Sequence, residues 1–236
     1  MGVTRRAVLA LSRRDALGAA ALAAAGLWLA PARSARAKEA AAMPADFTPE
    51  QALAWLLEGN RRFAAGRAEA PRRTLARVHD TAPDQKPFAA ILACADSRVP
   101  PEILFDQGFG DLFVVRNAGN LATPAEIASL EFGTLQLGAR VLMVLGHSSC
   151  GAVKAALAGT QVPGQISALF QYLRPAVKEA GGDLAKAVAA NVRLQADTLA
   201  QSSPVLAQLV QQGRLQMAGG VYDLASGVVT PLSLAG

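Results

Sequence analysis

The sequence predicts an α/β fold, a mostly parallel central β-sheet flanked by helices. Three observations carry this. Short continuous apolar runs, typical of strands buried on both faces, alternate with segments of helical periodicity. Two of the runs end in residues able to do chemistry, as strands do at the carboxyl edge of an open sheet. The composition is 52% hydrophobic and 17% charged over 236 residues, which suits one domain with a sizeable core. It excludes a disordered, collagenous or coiled-coil chain.

Residues 1–37 read as an export signal. A basic stretch ends in Ser12-Arg13-Arg14-Asp15, an apolar run follows from Ala16 to Ala30, and Ala35-Arg36-Ala37 supplies small residues before a cleavage site. The run is shorter than the ~20 residues that span a bilayer. Paired arginines before such a run resemble the twin-arginine signal, which predicts a periplasmic protein with membrane contact only during export; a Sec signal or an uncleaved anchor that happens to contain Arg-Arg is the plainer alternative. The leader also accounts for the whole net charge of +5, because the rest of the chain is formally neutral. No nucleic-acid partner is therefore read from the basic balance.

Residues 38–47 form an Ala/Pro linker, and residues 48–236 a single domain. Thr48-Pro49-Glu50-Gln51 is a helix start, with Thr48 as N-cap, Pro49 at the first position and Gln51 completing a capping box. Leu53, Leu56, Leu57 and Phe63 then recur at helical spacing. Strands are predicted over 88–94, 112–116 and 140–146. A helix opens at Thr123-Pro124 and ends near Gly138, and another runs from about Ser149 to Leu157 and stops at Gly159. Ala/Leu-rich helices fill 165–200, and 217–229 gives two short strands around Asp223 and Gly227.

Cys94 closes the first strand and opens Cys94-Ala95-Asp96-Ser97-Arg98. His147 closes the third and opens His147-Ser148-Ser149-Cys150. Two thiolates and an imidazole are a three-ligand set for catalytic zinc, with a fourth position left for water. Cys150 falls at a helix start, where free N–H groups favour a thiolate. The residues alone leave alternatives open. The only two cysteines of an exported chain also suit a disulfide, a strand-end histidine suits a core, and Asp96-Ser97-Arg98 suits a turn with a local ion pair.

The stretches 94–102 (CADSRVPPE), 113–120 (FVVRNAGN) and 146–152 (GHSSCGA), with the opening helix 56–63 (LLEGNRRF), resemble the β-class carbonic anhydrases. The resemblance runs from about residue 48 to 231. It implies a β-carbonic anhydrase-like fold and one Zn2+ per chain bound by Cys94, His147 and Cys150. It also implies an Asp96–Arg98 pair that orients the zinc-bound water, with Asp96 a fourth ligand in a closed form only. The implied reaction is reversible hydration of CO2 to bicarbonate and a proton by zinc-bound hydroxide. The implied assembly is a homodimer or dimer of dimers. Two other readings stay beside it: a related zinc hydrolase acting on CS2 or COS, and a non-catalytic, zinc-stabilised binding module. His79 is a proton-shuttle candidate by chemistry alone, and an exposed surface residue is the plainer reading.

Overall fold

The computed structural model describes residues 46–159 and 161–234. The export signal read over 1–37 and nearly all of the linker lie outside the described residues. Five strands form one sheet: β1 (Ala89–Cys94), β2 (Leu112–Asn117), β3 (Val141–His147), β4 (Gln216–Tyr222) and β5 (Val229–Leu232). Their order is β2-β1-β3-β4-β5. The first four are parallel, and β5 returns antiparallel to β4. Every residue of β1 and β3 is buried, as their unbroken apolar runs require. β2 departs from that pattern: it is the sheet edge, and its residues are mostly half-buried.

Side chains alternate across the pleat, so β1 feeds two cores. Ala89, Ile91 and Ala93 pack with Met143 and Leu145 under Leu56 of helix α1 (Pro49–Ala64). Ala90 and Leu92 pack with Leu142 and Val144 against Val192, Ala196 and Leu199 of helix α7 (Leu184–Ser202). The capping box of α1 forms as read: Gln51 N donates to Thr48 Oγ1 at 3.3 Å and Thr48 N to Gln51 Oε1 at 2.8 Å.

Helix α2 (Leu75–Thr81) lies between α1 and β1, and helices α3 (Pro101–Leu104), α4 (Pro124–Glu131) and α5 (Gly151–Ala158) follow β1, β2 and β3 in turn. A π turn over Phe132–Gln136 carries α4 on towards Gly138, and Gly159 ends α5 in the left-handed conformation. The helical region predicted over 165–200 begins with a 3-10 turn at Gly164–Leu169. It continues as α6 (Phe170–Ala180) and α7, and α8 (Pro204–Gln211) follows. Among the described residues no helix is long and apolar enough to cross a membrane.

The chain leaves β1 for β2 on one side and then crosses to β3 on the other. The crevice beyond the carboxyl ends of β1 and β3 is therefore the point where the strand order reverses, the place where open α/β sheets bind ligands. Cys94 and His147 end these two strands.

Candidate metal centre

Strand pairing brings the two halves of the site together. β1 and β3 are in register up to Ala93 opposite Leu145, so both chains leave the sheet at one level. Ala95 N donates to Asn117 O at 2.8 Å, and Val99 N to Asp96 O at 3.0 Å, turning the chain after Cys94. After β3, Ser148 N donates to Tyr222 O at 2.8 Å. Ser149 then takes left-handed backbone, φ 57°, and this sharp turn delivers Cys150 as the N-cap of α5.

The ligand atoms of Cys94, His147 and Cys150 all lie within 4.8 Å of one another, and all three residues are buried. His147 Nδ1 meets Ser148 O at 2.9 Å. A carbonyl only accepts, so the ring proton sits on Nδ1 and the Nε2 lone pair is free. Nε2 is itself buried and without a hydrogen-bond partner. A buried, unpaired acceptor beside two thiols is costly unless something electrophilic fills the space. These donors fit a borderline-soft divalent ion such as zinc.

The thiols point the same way. Gly119 N donates to Cys94 Sγ at 3.4 Å. The neighbouring Cys150 thiol, against the opposing effect of burial, brings the Cys94 thiol down to about 4, with help from the Gly119 N–H. Its own interaction with the Cys94 sulfur, burial and the Cys94 charge push the Cys150 thiol far up. Of the two sulfurs, Cys94 is thus the better placed to carry negative charge, because it has the backbone donor. A divalent cation held here would favour both sulfurs as thiolates.

Asp96 stands at the rim. Arg98 grips it through a fork, Nε to Oδ1 at 2.9 Å and Nη2 to Oδ2 at 2.8 Å, and Arg98 N adds a bond of 3.0 Å to Oδ1. The Arg98 fork holds the Asp96 carboxyl well below the usual carboxylate range. Asp96 Oδ2 is 3.9 Å from His147 Nε2, so the carboxylate borders the centre while staying on the arginine. This is the arrangement in which Asp96 is a neighbour of the ligand group and not a member of it. His79 is exposed on α2 and is not part of the group.

The structure adds residues that the sequence reading missed. Arg116 donates from Nε to Cys94 O at 2.9 Å and from Nη2 to Asp96 O at 2.7 Å, pinning the backbone on both sides of Ala95. It stands in the FVVRNAGN stretch, which was the available signal. Ser148 Oγ donates to Asp223 Oδ1 at 3.0 Å and accepts Leu224 N at 2.9 Å. This fixes the segment whose carbonyl holds His147, and no local sequence pattern announces it.

A family model described as carbonic anhydrase matches residues 89–229. The chain belongs to the carbonic anhydrase family. Carbonic anhydrase 2 of Mycobacterium tuberculosis H37Rv is 39% identical over 184 residues, which is 74% of this chain and 89% of that protein. The carbonic anhydrase of Mycolicibacterium smegmatis is 37% identical over 186 residues, 75% of this chain and 90% of its own. Among solved structures, a Coccomyxa β-carbonic anhydrase is 30% identical with a TM-score of 0.61, covering 76% of this chain and 86% of that one. A β-carbonic anhydrase of Sordaria macrospora, described as tetrameric, shares the fold at 20% identity and a TM-score of 0.62, over 78% of this chain and 98% of its own. The parallel sheet flanked by helices is that of the β-class carbonic anhydrases.

Proposed function

We propose that this protein is a zinc enzyme that converts CO2 and water reversibly to bicarbonate and a proton, with one zinc per chain. The observation that carries the reading is the buried, unpartnered His147 Nε2 facing two thiols beside a carboxylate–guanidinium pair. Cys94, His147 and Cys150 would hold the ion. When bound, zinc supplies Lewis-acid chemistry, lowering the pKa of a coordinated water from about 15.7 to about 7.

The chain's own residues do the rest. Ser148 O keeps the imidazole proton on Nδ1, so Nε2 stays a donor to the metal. Asp96 remains ionised and can only accept. It takes a hydrogen bond from the attacking water and so turns an oxygen lone pair towards the carbon of CO2. Arg98 holds the carboxylate in that orientation, and Arg116 holds the backbone beneath it. The product proton leaves to solvent buffer.

Stopped-flow CO2 hydration combined with metal analysis tests the reading. Wild-type protein is expected to carry one zinc per chain and to be active. Cys150→Ala should lose metal and activity together, since two protein ligands make a weak site. Asp96→Asn should keep zinc and lose about 10²-fold in rate. A metal-free chain with full activity would falsify the proposal.

Two further parts of the reading concern the whole protein. Export by residues 1–37 is supported by the Arg13-Arg14 pair and the apolar run that follows. Assembly as a dimer or dimer of dimers is supported by apolar surface. Phe109, Phe132 and Leu135 are 49%, 50% and 44% exposed, and the Phe132 ring packs at a tilt against Phe113 of the edge strand β2.

A further inference from the structure

The Gly119 N–H that reaches Cys94 Sγ sits on a bent loop between Asn117, the last residue of β2, and Ala122. Gly119 and Asn120 both have left-handed backbone, φ 91° and 48°. Such a conformation at a non-glycine residue is strained and persists only where the surroundings over-determine it. Here the loop is clamped twice. From the strand end, Asn117 Nδ2 donates to Leu121 O at 2.8 Å and Asn117 Oδ1 accepts Leu121 N at 2.7 Å.

The second clamp comes from α7. Asn191 Nδ2 donates to Gly119 O at 2.9 Å, and Gln195 Oε1 accepts Ala122 N at 2.8 Å. Gln195 Nε2 donates to Asn191 Oδ1 at 3.0 Å and to Tyr172 O at 3.3 Å, which locks both amides. Asn191 and Gln195 are only 1% and 2% exposed, on a helix whose other buried residues include Val188, Val192, Ala196 and Leu199. Burying two amides among such neighbours is costly unless their polar atoms are paired. What they pair with is each other, the Tyr172 carbonyl and the loop that carries the Cys94 donor.

We infer that Asn191 and Gln195 are positioning residues of the metal centre, holding the 117–122 loop so that the Gly119 N–H stays on the Cys94 sulfur. The inference rests on the metal reading of Cys94, His147 and Cys150. An N–H donated to a thiolate withdraws part of its charge, so the sulfur passes less charge to a bound ion. Partners outside the ligand set tune a metal in this way and orient the ligands themselves. Without Asn191 the Gly119 carbonyl loses its anchor, the strained backbone relaxes and the sulfur is left more electron-rich.

Cobalt(II) loaded in place of zinc provides the test, because its thiolate-to-metal charge-transfer band reports charge on sulfur. Wild-type protein is expected to take one cobalt per chain and show the band. Asn191→Leu, of similar volume, is expected to take cobalt as well. Its band should lie at longer wavelength, and because the released 117–122 loop no longer orients Cys94, it should lose cobalt to a chelator about 10-fold faster. A role confined to packing would lower the melting temperature and leave the band in place. If Asn191→Leu does not fold, Gln195→Met, which keeps Asn191, should shift the band the same way by less. An unshifted band with an unchanged rate of loss in the folded variant overturns this inference and leaves the metal reading intact. A wild-type chain that shows no thiolate band with cobalt overturns both.

Discussion

Asp106 is fully buried, with left-handed backbone at φ 49°. It accepts Arg62 Nε at 2.8 Å, Glu69 N at 3.0 Å and Ala70 N at 2.8 Å, fastening the segment after α1 to the end of α3. Burial alone would raise its carboxyl. The Glu69 N–H, the Arg62 guanidinium and the Ala70 N–H outweigh that and hold it below its ordinary value. A folded-state pKa below the unfolded value of about 3.9 gives stability that is present above that pH. The unfolded chain binds the proton first, so the contribution is lost as pH falls through the folded value. Asp106→Asn tolerates the backbone conformation but replaces an accepting oxygen by an N–H2 group facing donors. It is expected to destabilise the fold by about 1–3 kcal/mol at pH 7 and to flatten the acid limb of stability against pH. Urea unfolding at pH 7 and pH 3.5 measures both. Equal pH dependence in the two proteins would show that Asp106 is not the group concerned.

At the scale of elements, the contact between α1 and α3 depends on one missing side chain. A Cβ added at Gly59 would lie 1.8 Å from Phe105 O, a backbone atom with little room to yield. Phe105 O also accepts Gln107 Nε2 at 2.8 Å, so the displacement would spread into the loop beyond α3. Gly59→Ala is expected to cost about 1–3 kcal/mol or more, read as a lower urea midpoint. An unchanged midpoint would mean that the helices separate freely. Such close approaches were not legible in the sequence, whereas the elements themselves largely were. The cap at Thr48, the buried runs of β1 and β3 and the stop at Gly159 are local signals, and all three appear in the fold. Helix α3 escaped because four residues show no period. Helix α2 escaped because it buries no residue and so needs no apolar stripe. Helix α8 opens with Ser203 capping Leu206 N and Pro204 at its first position, a start signal that went unread. At the site, Cys94, His147 and Cys150 were legible because strand ends and spacing place them. Arg116, Asn191 and Gln195 were not, because their partners lie far away in the chain.

For the whole molecule, the proposed twin-arginine export of residues 1–37 would place folding before transport. The twin-arginine route carries proteins already folded, so buried Cys94 and Cys150 would cross with the site assembled. Arg13→Lys combined with Arg14→Lys is expected to hold the precursor in the cytoplasm, as fractionation would show. Normal export of that variant would point to another route. The parallel pairing of β1 with β3 has a consequence for assembly. Cys94 and His147 are neighbours only because two non-local strands pair in one register, and a slip of one residue would turn every side chain to the opposite face. Contacts of this kind form late, after chain-closure entropy has been overcome. An ion is therefore not expected to nucleate this fold as it does a zinc finger; it would enter a frame built by the cores on both faces of the sheet. Chelation is accordingly expected to abolish turnover while far-UV circular dichroism is retained. The loss of stability should match ligand removal alone, about 2.7 kcal/mol for an ion held at a hundred times its Kd. Unfolding on chelation would reverse that sequence of events. On the zinc reading, a sheet that sets its ligands at strand ends would make the metal a guest of the fold and not its scaffold.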